Sequence, residues 1–573
     1  MIRKLAFNPD ECLACRSCEL ACAVIHSASG TLETAILEAP APRRRVMLSG
    51  GGPYGALRAL RCEQCDEPLC VFSCKSGALH RDLDSGHVIL DDDACVGCWM
   101  CIMVCPYGVR PDADSTAVVR CDVCREHEQP ACVKACPTSA LKVAEKMVSR
   151  PTSGFSGHVV IIGSSAAGIG ACEGVRRAAP GALMTMVTLD EDPQYSRPML
   201  AYMLAEKIQR ARVVWKPEGY LTERLGVHVL SGVSAVTLDA KKKSLRLSNG
   251  TELSYDRLII ATGARGELPD IPGIHLKGVF TLRGIDDVDG IARNSGPGRR
   301  AVVLGGGNIG LQACEALLKL GTHVTVVVRS PHLLSQMVDE EAGRRVGELF
   351  SKNGLVIRTG RDVASIKGED HVTGVQLDNG DRIDADFVVV GKGIRPNVEW
   401  LRDGGVTIGR GVVVDFSGHT NVDGIFAAGD CAEMSDPISE RFSVSGIWPI
   451  AYETGYAAGS TAAGVERVTR GALRMNSSTF FKVPLVSIGE VRQERIAGAH
   501  TRILAQSSDV YRTLVMRGRR IAGALLYGDI HGAGILYRLY REAIEIDEVT
   551  IATVTDREIV RVLNPFVARQ EGE

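Results

Sequence analysis

The sequence lacks an excess of charge of either sign, and it lacks any long apolar run. Its 66 basic and 68 acidic side chains leave a formal net charge of −2. This balance offers no broad basic field that would attract nucleic acid. No segment approaches the ~20 apolar residues that cross a bilayer, and the N-terminus has no apolar core of signal-peptide length. We therefore expect a cytoplasmic protein with no membrane span and no nucleic-acid partner.

The length and composition also exclude a disordered chain and a single small domain. Apolar residues make up 45% of the chain, which is enough to build packed cores. A chain of 573 residues exceeds what one hydrophobic core holds. Together with 62 glycines, this composition favours several ordinary globular domains.

Cysteine is plentiful but unevenly placed. Of the 19 cysteines, sixteen lie in the first quarter of the chain, in four groups that each end with the spacing C-x₃-C. The groups are Cys12, Cys15, Cys18 and Cys22; Cys62, Cys65, Cys70 and Cys74; Cys95, Cys98, Cys101 and Cys105; and Cys121, Cys124, Cys132 and Cys136. Disulfide scaffolds belong to small secreted chains, so this crowding indicates metal binding in a reducing compartment.

The spacing within the groups is typical of [4Fe–4S] clusters. In the bacterial C-x₂-C-x₂-C-x₃-C run, three thiolates bind one cluster and the fourth binds its neighbour. The first and third groups match this run. Zinc is the alternative metal, but it takes two separated cysteine pairs and leaves a triplet such as Cys12, Cys15 and Cys18 unexplained. Sixteen cysteine ligands therefore predict four [4Fe–4S] clusters.

The order of the groups resembles the four-cluster ferredoxin subunits of molybdopterin oxidoreductases and the iron–sulfur protein associated with CO dehydrogenase. The likeness covers nearly all of residues 1–145 and includes a widened second group, C-x₂-C-x₄-C-x₃-C, and a widened fourth group, C-x₂-C-x₇-C-x₃-C. It implies that the first group pairs with the fourth and the second with the third. The implied ligand sets are set A (Cys12, Cys15, Cys18, Cys136), set B (Cys121, Cys124, Cys132, Cys22), set C (Cys62, Cys65, Cys70, Cys105) and set D (Cys95, Cys98, Cys101, Cys74).

Past the cysteines, an apolar strand from His158 leads into a glycine turn, Gly163-Ser-Ser165-Ala-Ala-Gly168. Turns of this kind let the N–H groups of a following helix approach a pyrophosphate. About twenty residues later the next strand ends at Asp190, which is placed to accept a hydrogen bond from a ribose hydroxyl. The pattern predicts a dinucleotide site. A glycine turn without a ligand is the alternative.

Three further motifs follow in order, Tyr195-Ser-Arg197-Pro198, Ala261-Thr262-Gly263 and Gly429-Asp430. They resemble flavoproteins of the pyridine nucleotide-disulfide oxidoreductase type, which have two dinucleotide-binding domains. More narrowly, they are similar to the reductases related to rubredoxin reductase and to the flavin module of nitrite reductase. The resemblance implies a bound FAD, with the Ala-Thr-Gly turn passing along it and Asp430 binding its ribityl chain. It also implies that a helix after Trp448 points at the flavin ring.

A second glycine turn, Gly305-Gly-Gly307-Asn308-Ile309-Gly310, lies between the FAD motifs and is predicted to hold NAD(H) or NADP(H) as the substrate. Gly393 lies in a stretch that resembles the loop closing this domain. Where an acidic residue would bind the ribose of NAD, the strand ends in Arg329, a residue type that suits the phosphate of NADP. A solvent-facing side chain is the alternative for Arg329. The resemblance favours NADH.

Redox-active cysteines near the flavin are lacking. Many relatives carry a cysteine pair or one cysteine just after the flavin-site arginine, whereas here Pro198-Met-Leu200 follows. Cys172, Cys314 and Cys431 are predicted to be buried small apolar residues. Hydride transfer from nicotinamide to flavin depends on stacking and orientation, so no acid–base catalytic residue is predicted. The clusters are then the expected acceptors of flavin electrons.

The motifs together predict an α/β fold with two doubly wound dinucleotide-binding domains. A small α+β polyferredoxin domain is expected before them and a small α+β domain after them. The expected boundaries are a ferredoxin domain at 1–148, a linker at 149–157, an FAD-binding domain in two parts at 158–275 and 396–465, an NAD(P)H-binding domain at 276–395, and a C-terminal interface or cap domain at 466–573.

The expected function is that of an electron-transfer oxidoreductase subunit. It would exchange electrons between NAD(P)H and a redox partner through FAD and four [4Fe–4S] clusters, as part of a larger complex. By resemblance of architecture, the partner is a 2-oxoacid:acceptor oxidoreductase or a CO dehydrogenase. Two alternatives remain open. One is an NAD(P)H oxidase or diaphorase whose clusters are incidental, and the other is a relay subunit with a vestigial nicotinamide site.

Overall fold

The computed structural model describes residues 2–49, 57–82, 85–107, 110–111, 118–146, 152–191, 194–436 and 441–546. Residues 149–151 of the predicted linker and 547–573 of the predicted C-terminal domain lie outside this part of the chain. The protein divides into two compact units. One combines Met1–Ser149 with Asn476–Thr479 and Val483–Glu573, and the other combines Arg150–Met475 with Phe480–Lys482. The N-terminal and C-terminal segments therefore share a unit.

The cysteine-rich segment consists of short elements joined by loops. Its strands are β1 (Ile2–Phe7), β2 (Met47–Ser49), β3 (Arg58–Leu60), β4 (Leu79–Arg81), β5 (Val88–Leu90), β6 (Arg110–Pro111), β7 (Val118–Val119) and β8 (Leu141–Lys146). Its helices are α1 (Ser17–Ile25), α2 (Leu32–Ala35), α3 (Leu69–Phe72), α4 (Met100–Val104) and α5 (Ala131–Lys134). Strands β1 and β8 pair antiparallel, with Phe7 opposite Leu141, so the two ends of the segment close on each other.

The middle of the chain holds the longer helices and most of the strands. The first strands are β9 (His158–Ile162), β10 (Leu183–Val187), β11 (Val227–Leu230), β12 (Ala235–Asp239), β13 (Ser244–Leu247), β14 (Glu252–Ser254), β15 (Arg257–Ile260), β16 (Ala264–Gly266), β17 (Val279–Phe280), β18 (Arg300–Leu304), β19 (His323–Val328) and β20 (Val356–Thr359). The remaining strands are β21 (Val363–Lys367), β22 (Gly374–Leu377), β23 (Arg382–Asp384), β24 (Phe387–Val390), β25 (Ile394–Pro396), β26 (Val412–Val413), β27 (Ile425–Ala427), β28 (Ala432–Ser435) and β29 (Phe442–Val444). The helices are α6 (Ala166–Ala178), α7 (Leu200–Leu204), α8 (Ile285–Asn294), α9 (Asn308–Lys319), α10 (Glu340–Lys352) and α11 (Trp448–Ala462).

Two five-stranded parallel sheets organise this part of the chain, with strand orders β11-β10-β9-β15-β27 and β17-β24-β18-β19-β20. Their central strands are continuous apolar runs that are buried, as a sheet covered on both faces requires. In each sheet, strand order reverses beside the strand that enters a glycine turn, which is β9 in the first and β18 in the second. Ligands of doubly wound folds bind at this switch point. The predicted α/β fold with two dinucleotide-binding domains is confirmed.

Helices α6 and α11 approach each other closely because glycines line their contact. A Cβ atom at Gly459 of α11 would lie 2.1 Å from the carbonyl oxygen of Ala171, and one at Gly455 would lie 2.0 Å from that of Ala167. From the other side, a Cβ atom at Gly174 of α6 would lie 2.3 Å from an α11 carbonyl oxygen. Only glycine permits this distance, so the glycines determine where the start of α11 lies relative to the first glycine turn.

We expect Gly459→Ala to lower the free energy of unfolding by ~1–3 kcal/mol, the usual cost of forcing an extra methyl group into a packed contact. Gly347→Ala in α10 is the matched control, because its Cβ would meet its nearest neighbour, Ile357 Cδ1, at 3.9 Å. Alanine should stabilise that open helical position by ~0.5–1 kcal/mol. Denaturant titration of the two variants measures both effects. Equal midpoints for Gly459→Ala and the wild type would contradict the packing argument.

The C-terminal segment forms an antiparallel sheet with a helix against it. Its elements are β30 (Met475–Phe480), β31 (Val483–Gly489), β32 (Ala499–Gln506), β33 (Tyr511–Arg517), β34 (Arg520–Tyr527) and α12 (Ala533–Arg541), and the sheet order is β30-β31-β34-β33-β32. Helix α12 packs on β31 and β34. None of the described helices, here or earlier in the chain, has both the length and the apolarity of a membrane span.

Candidate cofactor and metal sites

The first glycine turn, between β9 and α6, depends on two glycines. Gly163 has a φ of +117°, and a Cβ atom there would lie 2.1 Å from the carbonyl oxygen of Ala261. A Cβ atom at Gly168 would lie 1.8 Å from the carbonyl oxygen of Gly163. Ser165 occupies the N-cap position of α6, and its side chain makes no capping hydrogen bond in the described structure. The turn is therefore tight, and it leaves the helix N-terminus open for an anion.

A cleft of about 530 Å³ opens at the carboxyl edge of the first sheet. The predicted FAD residues that line it are Gly163, Ser165, Asp190, Arg197, Ala261, Thr262, Gly263 and Asp430. Gly168 is buried within α6, and a Cβ atom at buried Gly429 would lie 2.7 Å from Cβ of Ala167. These two glycines shape the cleft from behind. The structure thus brings all four sequence motifs to one place.

Two ion pairs set the charge along the cleft. Arg197 donates from Nη2 to Asp190 Oδ2 at 2.7 Å, so two residues predicted separately contact each other. Arg283 donates from Nη2 to Asp430 Oδ2 at 3.1 Å. Arg283 lies just before α8 and belongs to no motif by which the sequence alone would identify it. Only the fold brings it to Asp430, 147 positions away in the chain.

The lining of the cleft fits FAD because it contains buried hydrogen-bond donors that have no acceptor in the described structure. The indole Nε1 atoms of Trp400 and Trp448 are buried without a hydrogen-bond partner in the described structure, and both residues line the cleft. A buried N–H group without an acceptor is costly. A flavin dinucleotide is rich in acceptor oxygens and nitrogens. Trp448 also begins α11, so the positive end of that helix faces the same space, as the resemblance implies.

A buried polar network lies behind Trp448. Glu173 on α6 accepts hydrogen bonds from Lys216 and Tyr220, each at 2.8 Å, and another from Tyr452 on α11. Burial alone would raise the pKa of Glu173, but the charge of Lys216 and these hydrogen bonds lower it below its usual value. Trp215, next to Lys216, meets the Trp448 ring edge-on at 4.9 Å between ring centroids. The network holds the aromatic wall of the cleft in position.

The second glycine turn, between β18 and α9, repeats the first. Gly305 has a φ of +107°, and a Cβ atom at Gly310 would lie 2.1 Å from its carbonyl oxygen. At Gly307, just before α9, a Cβ atom would meet nothing within 4 Å, which leaves room for a ligand. Asn308 and Ile309 form the first helical turn, and the Ile309 side chain is 40% exposed. This geometry suits a second dinucleotide.

The two remaining residues predicted for the nicotinamide site lie along the carboxyl edge of the same sheet. Arg329 directly follows β19 and is exposed, and Gly393 follows β24 with a φ of +121°. Strands β19 and β24 both flank β18, which enters the glycine turn. The predicted residues therefore meet at one edge.

The structure brings together the cysteines that the resemblance groups into sets. Within each set, the thiol from the distant group acts electrostatically on members of the triplet. These pairs are Cys136 with Cys15 and Cys18, Cys22 with Cys124 and Cys132, Cys105 with Cys65 and Cys70, and Cys74 with Cys98 and Cys101. The first group therefore meets the fourth, and the second meets the third.

The loops that carry the triplets have the backbone shape of anion-binding turns. Residues between successive cysteines adopt left-handed conformations, namely Ala14 (φ +54°), Arg16 (+60°), Gln64 (+48°), Gly97 (+62°), Trp99 (+60°) and Val123 (+60°). Such turns direct successive backbone N–H groups into one concavity. The conformation costs ~1–3 kcal/mol for each residue other than glycine. Thiol donors around N–H-lined concavities fit [4Fe–4S] clusters.

Burial raises the pKa of most of these thiols and so disfavours their ionisation. It raises the pKa of Cys18 to about 11 and that of Cys132 to about 12. The pKa of exposed Cys15 is lowered instead, chiefly by its hydrogen bond with Ser17. Because only the thiolate binds iron, metal binding must displace these protons. Arg120, which is buried, supplies positive charge by donating from Nη2 to Cys62 Sγ at 3.0 Å.

Electrostatic interactions between thiols also show which sets are neighbours. Cys132 interacts with Cys18, which links set B to set A, and Cys121 interacts with Cys62, which links set B to set C. Cys101 interacts with Cys70, which links set D to set C. The resulting order is A, B, C, D. All four cysteines of set B are buried, whereas set A includes exposed Cys15 beside Leu13, whose side chain is 69% exposed.

The three cysteines outside the sets have a different character. Cys172, Cys314 and Cys431 are each fully buried, in agreement with their predicted role as small apolar residues. Burial raises the pKa of all three thiols. Buried, protonated thiols of this kind are poor nucleophiles and poor redox groups.

Fold and site together define an FAD-dependent oxidoreductase with an iron–sulfur domain. Comparison with known families gives the assignment. Residues 157–455, just over half of the chain, match the pyridine nucleotide-disulphide oxidoreductase model, and the protein belongs to that family. Residues 55–146 match a 4Fe-4S dicluster domain, and residues 475–544 match the C-terminal domain of rubredoxin NAD+ reductase. The chain thus combines a module of a flavin- and nicotinamide-dependent oxidoreductase family with a segment of the 4Fe-4S type, and this match favours iron–sulfur clusters over zinc.

Individual relatives agree with this assignment. The chain is 27% identical over 395 residues to nitrite reductase [NAD(P)H] of Bacillus subtilis, which covers 69% of this chain and 48% of that protein. The chain thus spans about half of that relative. It is 30% identical over 332 residues to the epsilon subunit of NADH-dependent phenylglyoxylate dehydrogenase of Aromatoleum evansii, covering 58% of this chain and 78% of the subunit.

A solved structure shows the same fold. The NAD-dependent persulfide reductase of A. fulgidus superposes with a TM-score of 0.66 at 27% identity. The match covers 72% of this chain and 84% of that protein.

Proposed function

We propose that this protein carries electrons between a nicotinamide dinucleotide and a separate redox enzyme, through FAD and four [4Fe–4S] clusters. The observation that carries the proposal is that four cysteine sets, each next to another in the order A, B, C, D, occur in the same chain as a cleft whose lining fits FAD. The family match to a dicluster domain covers only residues 55–146, so the count of four rests on the sixteen thiols. Each set has four thiols, which is a complete ligand set for one cluster.

Different residues would serve hydride transfer and single-electron transfer. FAD held in the cleft would supply two-electron hydride chemistry, and clusters held by the cysteine sets would supply one-electron chemistry. Asp430, Arg283 and Trp448 would hold and orient the flavin, while the turn from Gly305 would present the nicotinamide. No side chain needs to donate or accept a proton for the hydride step. With Cys172, Cys314 and Cys431 buried, the cysteine sets are the route onward from the flavin.

The partner is proposed to dock at set A. Cys15 is the exposed member of that set, and exposed Leu13 and Leu20 lie beside it in the chain, on the first loop and on α1. Exposed apolar side chains around an accessible redox centre suit a transient protein contact. Among the two expected partners, a 2-oxoacid:acceptor oxidoreductase is favoured, because a subunit of phenylglyoxylate dehydrogenase is a relative. The same relative favours NADH over NADPH.

Iron and flavin analysis of the full-length protein, purified anaerobically, tests the proposal. We expect close to sixteen irons and one FAD per chain, negligible zinc, and flavin bleaching on addition of NADH. An iron content near eight atoms per chain would support only the dicluster match and would contradict the presence of four clusters. Flavin that NADH does not reduce would support the vestigial relay. Rapid NADH-driven oxygen uptake, with clusters that stay oxidised, would support the oxidase alternative.

A further inference from the structure

The C-terminal sheet contacts the third cysteine group directly. Ser477 on β30 donates from Oγ to the carbonyl oxygen of Cys98 at 2.8 Å. Thr479, two positions further along the same strand, donates from Oγ1 to the carbonyl oxygen of Gly97 at 3.2 Å. Alternate residues of a strand share a face, so both hydroxyls come from one side of β30. These residues lie 379 and 382 positions apart in the chain, which marks the contacts as tertiary.

Helix α12 supports the same segment from its other end. Gly534, in the first turn of α12, lies against α4, the helix that follows Cys98. A Cβ atom at Gly534 would lie 2.2 Å from the carbonyl oxygen of Cys105 and 2.7 Å from that of Ile102. Any side chain at Gly534 would push the end of α4 away. The C-terminal domain therefore holds residues 97–105 at both ends.

This segment needs outside support for a local reason. Trp99 adopts a left-handed conformation (φ +60°), which is unfavourable for a residue with a bulky side chain. Helix α4 that follows has only 5 residues, too few to be stable alone. Yet the segment carries Cys98 and Cys101 of set D together with Cys105 of set C. Its position therefore determines the separation between two adjacent sets.

The two hydroxyl contacts also orient peptide N–H groups. In a trans peptide, the carbonyl oxygen and the N–H group point in opposite directions. By holding the carbonyl oxygen of Gly97, Thr479 directs the N–H group of Cys98 away from β30. Ser477 does the same for the N–H group of Trp99 by holding the Cys98 carbonyl oxygen. N–H groups that point at cluster sulfurs stabilise the more negative, reduced state and so raise its reduction potential.

We propose that the C-terminal domain supports the chain of iron–sulfur clusters. In this proposal Ser477, Thr479 and Gly534 position residues 97–105, the segment that carries cysteines of both set C and set D. This inference rests on the proposed four-cluster function. Ser477 and Thr479 act as positioning residues that tune the set D cluster through the backbone. Gly534 keeps the C-to-D spacing, on which the rate of electron transfer depends steeply.

The double variant Ser477→Ala/Thr479→Val removes both donors with little change of shape. We expect one of the four clusters to become harder to reduce, with a tenfold lower reduced-to-oxidised ratio at a given potential, which is about 59 mV for one electron. Thr513→Val is the matched control, because Thr513 Oγ1 is buried in the same domain without a partner in the described structure. Redox titration followed by electron paramagnetic resonance measures each cluster separately. Iron content and flavin reduction by NADH should stay at wild-type values.

Gly534→Ala tests the spacing, and we expect a loss of one or two clusters, from about sixteen irons to about eight to twelve. If Gly534→Ala does not yield folded protein, the hydroxyl double variant decides alone. Four unchanged potentials in the double variant would overturn the inference, even with the wild type holding sixteen irons. A wild type with about eight irons would instead overturn the proposed function. The two failures are therefore distinguishable.

Discussion

Asp430→Ala should empty the flavin site while leaving the iron in place. The substitution removes the carboxylate predicted to bind the ribityl chain, and it leaves the Arg283 guanidinium in the cleft without its partner at 3.1 Å. Losing a hydrogen bond to a charged group costs ~1.5–3 kcal/mol, which corresponds to FAD binding weaker by about 10- to 150-fold. At micromolar protein most chains would then lose FAD during gel filtration. NADH-dependent dye reduction should fall in proportion.

The flavin-to-protein absorbance ratio, measured together with iron content, checks this expectation. Asp423→Ala is the matched control, because exposed Asp423 precedes the same strand, β27, at its opposite end. It removes the same charge without touching the cleft, so its flavin content should equal that of the wild type. Iron should be unchanged in both variants, since the cysteine sets belong to the other compact unit. Full flavin occupancy in Asp430→Ala would show that the carboxylate does not hold the cofactor.

Removing set B should interrupt the chain of clusters between set A and set C. The double variant Cys121→Ala/Cys124→Ala deletes two of the four thiols of the buried set that lies between sets A and C. We expect the iron content to fall from about sixteen to about twelve. NADH should still reduce the flavin at the wild-type rate. With the partner at set A, as proposed, flavin electrons would enter through the other sets. Without set B they would have to pass from set C to set A directly, so reduction of the set A cluster should slow by orders of magnitude.

Stopped-flow mixing with NADH, followed by freeze-quench paramagnetic resonance, resolves flavin and cluster reduction. Cys314→Ala is the control, because it removes a fully buried thiol that belongs to no set. That variant should keep all its iron and reduce set A at the wild-type rate. If set A were reduced equally fast without set B, the linear order A, B, C, D would be wrong, and electrons would reach set A by another route.

Substitutions within the full-length protein test the electron-transfer route through the clusters better than a truncated protein does. A cut near Ser153 would leave the C-terminal segment attached to the flavoprotein part, although Asn476–Thr479 and Val483–Glu573 belong to the unit of the N-terminal segment. Ser477, Thr479 and Gly534 would lose the backbone against which they pack. If such a fragment lost activity, the cause could be either the instability of its C-terminal segment or the loss of the clusters, and the experiment would not separate the two.

Residues near one another in the chain were predictable because their chemistry depends on local spacing. Gly163 and Gly168 are five positions apart, and one tight turn suffices to explain both. The same reasoning predicts that the short loops of the cysteine triplets direct three thiols to one cluster. The two parallel sheets followed from apolar strands that lead into glycine turns. Pairing of the cysteine groups, in contrast, came from family resemblance, and the structure agrees with it.

The sequence by itself determined the α/β fold and predicted the cofactor class and the candidate metal-binding thiols, because each rests on short-range patterns that physical chemistry constrains tightly. Only the tertiary structure decided which distant residues share a site. It brought Arg283 to Asp430, Lys216 to Glu173, and Ser477 to the carbonyl oxygen of Cys98. A lone arginine, lysine or serine has no local signature, since its role depends on the backbone or charge that folding brings beside it.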